Sequence, residues 1–379
     1  MSYLLDGVLA TTWQQLVMYL IGALLIYLGI SKKLEPALLL PLGFGAILVN
    51  IPFSGAINTI LPGIGEVNGI IDWLFDVGIQ ASEAMPLLLF IGIGAMIDFG
   101  PLLSNPRLIL FGAAAQFGIF ATISVATLMG FPLKDAASIG IIGAADGPTS
   151  ILVSQVLKSD YMGAIAVAAY SYMALVPIIQ PFAIKLVTTK KERQIRMPYN
   201  PKNVSRMARL LFPIIVTLLA GYVAPASVSL VGLLMFGNLI RESLVLGSLS
   251  ETAQNALVNL ITLLLGITIA ASMKAEKFVR VETMMILLLG LLAFVFDSIA
   301  GVLFAKLMNL FTKNKVNPMI GAAGISAFPM SARVIQRLGQ EADPQNHLLM
   351  HAVGANVAGQ IASVIAGGVV LGLVPTMIG

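Results

Sequence analysis

The chain has 379 residues, of which 58% are hydrophobic and 11% charged, with 22 Lys and Arg against 18 Asp and Glu. Soluble domains carry about a quarter charged residues, so the composition excludes a soluble globular enzyme and makes this an integral membrane protein. Cysteine is absent, which excludes disulfides, iron–sulfur clusters and thiolate zinc sites. The net charge of +4 is carried by bases bunched at loop positions, as membrane topology requires, and does not suggest nucleic acid.

Asp6 precedes the first apolar run and no basic segment does, so no cleaved signal peptide is expected. Apolar runs fall at about 13–30, 35–50, 85–103, 107–130, 134–157, 161–188, 208–225, 227–247, 252–273, 281–312, 315–338 and 346–375. Several suit a hydrocarbon core about 30 Å thick. The 36 glycines and 19 prolines are too many for plain spanning helices and suggest tight packing and interrupted ones. Segment 51–84 holds Glu66, Asp72, Asp76 and Glu83 and no base, so it is expected outside the bilayer, with an interfacial helix around Asp72–Ala81. Between Lys185 and Arg209 there are eight bases and one acid, which places the polar linker 189–207 in the cytoplasm.

The linker separates two similar halves, 1–188 and 208–379. Phe44-Gly45 in PLGFGAIL resembles Phe236-Gly237 in GLLMFGNL. More telling, GIIGAADGPTSILVSQVL (140–157) matches GAAGISAFPMSARVIQRL (321–338) at 7 of 18 positions, including Gly140/Gly321, Gly143/Gly324, Pro148/Pro329, Ser150/Ser331 and Gln155/Gln336. Each segment has glycines followed by a proline in mid-run. Proline removes an amide donor and clashes with the preceding turn, and broken backbone at membrane depth must face protein or a cavity.

If both broken runs are re-entrant, the loop with Lys32-Lys33, Arg107, the linker and Lys306 to Lys315 all lie in the cytoplasm. Each half then crosses five times, and an odd number inverts the second half. Lys274, Lys277 and Arg280 are the exception, falling outside. The expected fold is therefore an all-α polytopic membrane protein with two inverted repeats, each containing a broken or re-entrant helix, compatible with an elevator-like scaffold and core.

Asp146 lies in the middle of the first broken run. A carboxylate at the centre of a membrane helix costs about 2.5–3.5 kcal/mol on insertion scales. Gly143 and Gly147 free nearby carbonyls, and Thr149 and Ser150 add hydroxyls. That donor set suits Na⁺ or a proton, while capping of the second half-helix is a compatible structural role. The second broken run has Ala327 in the aligned place, with Asn317 at its start, Ser326 near its centre and Arg333 opposite Leu152. Arg333 either snorkels to an interface or holds an anion, a substrate carboxylate or Asp146 itself. Tyr172 and Asn356 occupy matching places in the helices after the two broken runs. Each either completes an ion site or bonds between helices. Asp297, in AFVFDSIAG, is a second intramembrane acid whose role the sequence leaves open, and Asp98 is expected at an interface. His347 and His351 sit four apart on what reads as one helix, a membrane-border end rather than a metal pair. SMKA (272–275) superficially resembles a biotin-acceptor lysine, but its setting is a membrane-helix end. No P-loop or Rossmann fingerprint is present.

GIIGAADGPTSILVS, AAYSYMALVPIIQP, NPMIGAAGISAFPMSARV and LLMHAVGANVAG, in this order, resemble the β-subunit of the sodium-pumping biotin-dependent decarboxylases acting on oxaloacetate, methylmalonyl-CoA, glutaconyl-CoA or malonate. The resemblance runs from about residue 85 onward. It implies that the family's aspartate falls on Asp146, its tyrosine on Tyr172, its Asn-Gly-Ser-Arg set on Asn317, Gly321, Ser326 and Arg333, and a further asparagine on Asn356, with Gly324 supporting. It implies Na⁺ on Asp146, Asn317, Ser326 and Asn356, and catalysis by Asp146, Tyr172, Ser326 and Arg333. Carboxybiotin, expected at Arg333, would arrive on a partner, with no covalent biotin on this chain. The implied partners are a biotin carrier, a carboxyltransferase α-subunit and a small membrane γ/δ-subunit, in a homo-oligomeric assembly in a bacterial or archaeal cytoplasmic membrane. Decarboxylation would consume a proton and drive Na⁺ outward. The oxaloacetate branch tends to be longer, so the length points to a CoA-ester branch. A stand-alone Na⁺-coupled secondary transporter would explain every feature but the motifs. A channel would leave the midplane titratable groups without a purpose.

Overall fold

The computed structural model describes residues 2–33, 36–61, 63–81, 83–198 and 203–378. Among the described residues, six helices are long and apolar enough to cross a membrane: Trp13–Ser31, Pro106–Leu128, Arg206–Val223, Gly247–Met273, Val281–Phe311 and Leu349–Ile378. Two bent pairs, Ile70–Gln80 with Ala84–Met96 and Met162–Met173 with Leu175–Val187, raise the number to eight if each is one span. Pro177 and Pro181 lie just past the second bend, where the missing amides weaken the helix. Runs 35–50 and 227–247 fold as Pro36–Val49 and Val228–Ser243, of 14 and 16 residues. At about 1.5 Å per residue both fall short of the hydrocarbon thickness.

Segment 51–84 contains the expected helix, displaced to Ile70–Phe75 and continued to Gln80. It also contains an antiparallel hairpin, Thr59–Leu61 against Gly65–Val67. Asp72 anchors this excursion, accepting from Asn58 N at 2.8 Å and from Lys274 Nζ at 3.0 Å. Lys274, one of the three bases that broke the charge pattern, is thus neutralised by the acidic excursion.

Both broken runs are interrupted where Gly and Pro predict it. The first is a helix over Leu133–Gly140, a tighter turn over Ile141–Ala144 and a helix over Gly147–Val156. Between them Ala145 is left-handed at φ 52° and Asp146 is extended. The two ends of this hairpin meet: Lys134 Nζ donates to Asp160 at 2.8 Å, and Ser159 Oγ to Asp135 at 2.6 Å. The second is Met319–Ala322, an irregular stretch, then Met330–Ala342. Its ends meet on the linker. Asn317 Nδ2 donates to the carbonyls of Arg193 and Ile195 at 2.9 and 2.8 Å, and Asn346 Nδ2 to the same two at 3.0 and 3.2 Å. The linker is therefore a strap rather than a free tether: Thr189 caps the short helix Lys190–Arg193, and Arg196 grips Asp343 with two nitrogens at 2.5 and 3.0 Å. Linker residues 199–202 lie outside the described residues.

Val281–Phe311 has 31 residues, roughly 46 Å at 1.5 Å per residue. Thr283 at its start lines a cavity with Asp160 and Tyr161. Lys306 near its end pairs with Glu192 of the linker at 2.9 Å. The mouths of the two hairpins thus lie toward opposite ends of one long helix. Their tips join, Ser326 N donating to the Ala144 carbonyl at 3.0 Å. The second hairpin reaches this depth because Gly321 and Gly301 cross backbone to backbone. A Cβ on Gly321 would lie 1.9 Å from the Gly301 carbonyl oxygen, and one on Gly301 2.1 Å from that of Gly321.

Candidate ion site

The buried Asp146 carboxylate lies where the tips meet. As N-cap of Gly147–Val156 it accepts from Thr149 N at 3.3 Å. Oδ2 also accepts from Thr149 Oγ1 at 2.8 Å, Ser363 Oγ at 3.0 Å, Ser326 Oγ at 3.2 Å and Gln360 Nε2 at 3.4 Å. Capping and ion coordination are therefore compatible uses of this residue. The carboxylate is surrounded by three hydroxyls from three elements: the first hairpin, the second hairpin and Leu349–Ile378. Each can turn a lone pair toward a cation, so carboxylate and hydroxyls together form an oxygen set for a hard monovalent ion. Na⁺, as cargo, fits that donor set.

Gln360 and Ser363 are missing from the residues singled out by sequence. Their signal was present: Asn356, Gln360 and Ser363 stand at i, i+4 and i+7, one face of a helix. Asn356 belongs to the same face. Its Nδ2 donates to the Ile325 carbonyl at 2.6 Å, beside Ser326, and its buried Oδ1 has no partner among the described residues.

Other expected residues take supporting places. Ser150 Oγ donates to the backbone carbonyl of Asp146 at 2.8 Å rather than to its carboxylate. Gly147 lies against the Tyr170 ring, Gly143 against Asp297 and Ala293, and Gly324 against Phe111. Asn317 is not brought to Asp146. Its amide is spent on the linker carbonyls and its Oδ1 accepts from Met319 N at 3.1 Å, so its placement supports the hairpin mouth rather than the ion. Tyr172 donates its hydroxyl to the Leu287 carbonyl of the long helix. Tyr170, two residues earlier, is the tyrosine against the start of the Asp146 half-helix, and its hydroxyl is buried without a partner among the described residues. Asp297 is fully buried, and a Cβ on Gly118 or Gly143 would lie 2.4 or 2.6 Å from its carboxylate oxygens.

Arg333 is exposed on the polar face of Met330–Ala342, with Arg337 one turn on. The described residues offer its guanidinium no hydrogen bond or ion pair. It is therefore not a partner of Asp146 in this arrangement. The two histidines do not share a helix: His347 precedes Leu349–Ile378 and is exposed, while His351 is buried within it. Asp98 is half-buried and pairs with Arg209 at 3.3 Å.

Residues 14–374 match the family model of the Na⁺-transporting oxaloacetate decarboxylase beta subunit. The chain belongs to this family. Among curated relatives, it is 46% identical to the oxaloacetate decarboxylase beta chain of Klebsiella pneumoniae, covering 96% of each chain. It is 48% identical to the methylmalonyl-CoA decarboxylase subunit beta of Propionigenium modestum, covering 94% of each. Against the glutaconyl-CoA decarboxylase subunit beta of Acidaminococcus fermentans it is also 48% identical, over 97% of this chain and 96% of the relative. For this β-subunit, family membership sets the decarboxylase reading above that of a self-sufficient transporter, which rested on fold features alone.

Proposed function

We propose that this chain is the membrane subunit of a Na⁺-transporting decarboxylase complex and holds Na⁺ at Asp146. The observation that carries the reading is the convergence on Asp146 of hydroxyls from Thr149, Ser326 and Ser363, where two broken hairpins meet. The relatives are named as beta chains or subunits, which implies further subunits. In this reading they comprise a biotin carrier, a carboxyltransferase and a small membrane subunit, and the β-subunits assemble as homo-oligomers in a cytoplasmic membrane. Carboxybiotin, delivered on the carrier, supplies the driving reaction, loss of CO₂ with uptake of a proton. Arg333, exposed and unpaired among the described residues, is the residue proposed to receive its carboxylate in a two-pronged fork. Thr149, Ser326 and Ser363 orient the Asp146 carboxylate and exchange donation for coordination when the cation binds.

The hairpins are proposed to be re-entrant and to enter from opposite faces, making the halves inverted repeats around one site. Support comes from the joined ends of each hairpin, the contact of their tips and the long helix that runs between their mouths. The linker side is then cytoplasmic. The substrate is proposed to be a CoA ester. The alignment to the Klebsiella chain spans 415 positions, more than this chain's 379 residues, whereas those to the two CoA-ester relatives span 378 and 369. The test is reconstitution of the complex in vesicles with Asp146→Asn. Loss of both Na⁺-stimulated carboxybiotin decarboxylation and Na⁺ transport is expected, and retention of either at the parent level overturns the reading.

A further inference from the structure

Tyr170 is the first of the two tyrosines in AAYSYMA, and the burial of its hydroxyl has no account in the packing alone. The side chain is 2% exposed. Its ring lies against the first residue of the Asp146 half-helix: a Cβ on Gly147 would come within 2.4 Å of the very ring carbon that carries the hydroxyl. Only glycine can stand there, so the tyrosine approaches the helix start as closely as backbone permits. Gly147 directly follows Asp146, so the ring packs against the neighbour of the carboxylate-bearing residue.

The two tyrosines have divided their roles. The Tyr172 hydroxyl is donated to the Leu287 carbonyl and ties Met162–Val187 to the long helix. The Tyr170 hydroxyl has no partner among the described residues. Burying an unsatisfied hydroxyl in an apolar setting is unfavourable. A phenylalanine would fill the same volume without that cost, so packing does not explain the oxygen. The hydroxyl is compensated if it gains a partner that the protein atoms do not supply. Asn356 Oδ1 is likewise buried and without a partner among the described residues, on the helix face that also presents Gln360 and Ser363 to Asp146. Two buried oxygens without a partner among the described residues, one on the ring against Gly147 and one on the helix face that reaches Asp146, carry lone pairs that a hard cation recruits.

We infer that the Tyr170 hydroxyl oxygen is a ligand of the transported Na⁺, on the Gly147 side of Asp146. This rests on the proposed Na⁺ role of Asp146 and adds a ligand to it. Tyr170→Phe removes one oxygen and preserves shape. Equilibrium binding of radioactive Na⁺ to the purified complex, together with Na⁺-dependent thermal stabilisation, reads the site without turnover. The half-saturating Na⁺ concentration should rise about tenfold, the effect of about 1.4 kcal/mol, with turnover restored at high Na⁺. Asp146→Asn is measured alongside. If Asp146→Asn loses Na⁺ binding while Tyr170→Phe binds as the parent does, the tyrosine inference is overturned and the Asp146 reading stands. If Asp146→Asn also binds Na⁺ as the parent does, both fall. A change in basal thermal stability of Tyr170→Phe without a change in Na⁺ affinity makes the hydroxyl structural and likewise overturns the inference.

Discussion

Ser326 and Asp146 stand 180 residues apart, and Ser326 Oγ donates to Asp146 Oδ2 at 3.2 Å. One belongs to each broken hairpin, so the bond joins the two halves of the chain at the candidate ion site. Beside it, Ser326 N donates to the Ala144 carbonyl at 3.0 Å. The backbone bond fixes the position of the tip, which leaves the hydroxyl free to turn between donating to the carboxylate and coordinating a cation. Ser326→Ala should therefore leave the tip in place and weaken the site. A hydrogen bond to a charged group contributes about 1.5–3 kcal/mol, so the half-saturating Na⁺ concentration should rise roughly 10–100-fold. Sodium titration of carboxybiotin decarboxylation checks this, and an unchanged midpoint removes Ser326 from the site.

The proposed opposite entry of the hairpins gives a direct labelling prediction on a chain without cysteine. Lys158 lies at the joined ends of the first hairpin and Gln340 near those of the second, and both are exposed. Lys158→Cys and Gln340→Cys should react with an impermeant maleimide from opposite sides of sealed, oriented vesicles. Labelling of both from one side rules out the inverted arrangement.

The broken runs were legible because Gly and Pro interrupt an apolar pattern in a way no intact helix tolerates, and Asp146, Thr149 and Ser326 stood out as polar groups in those interruptions. Gln360 and Ser363 were harder to see. They lie in an unbroken helix, where a buried polar residue more often bonds to a neighbouring helix, and only their spacing from Asn356 marked a shared face. Asn317 and Tyr172 show the opposite case. Their motifs were clear, but a motif does not reveal which partner captures an amide or a hydroxyl, and here nearby carbonyls do. The linker's positive charge was legible as an expectation about its side, while its grip on the second hairpin rests on asparagine amides and backbone carbonyls, for which composition carries no signal. The small hairpin in 51–84 was hidden by its length, since three-residue strands leave no usable periodicity.

The strap has a pH signature. The Arg196 hydrogen bond, aided by the Gln345 amide, holds the Asp343 carboxyl below its ordinary value. A lowered pKa in the folded protein means the contact contributes fully above the ordinary aspartate pKa, about 3.9, and is lost as pH falls through the folded value. Hydrogen-exchange protection of residues 193–197, corrected for intrinsic rates, should be constant from about pH 8 to pH 5 and fall only below about pH 4. In Arg196→Ala this acid step should disappear. If the variant shows the same profile as the parent, the ion pair does not fasten the strap.

Arg333 was expected within the second broken run, and its helix is there, but the guanidinium is exposed and unpaired among the described residues. That placement separates stability from function. An unpaired surface side chain contributes within about 0.5 kcal/mol to folding, so Arg333→Ala should unfold at the parent temperature. If the arginine grips the carboxylate of carboxybiotin, its loss removes a charge-assisted fork, and decarboxylation of free carboxybiotin should fall by roughly 10–100-fold, the effect of about 1.5–3 kcal/mol. Arg333→Lys keeps the charge and loses the planar fork, so it should fall between. The Na⁺ midpoint distinguishes the alternatives. An unchanged midpoint with slower turnover establishes the anion role. A sharply lower midpoint in Arg333→Ala makes the arginine an internal cation that swings onto Asp146 in another arrangement. Turnover at the parent rate makes it a snorkelling anchor, its stem against the apolar surface and its charge in water.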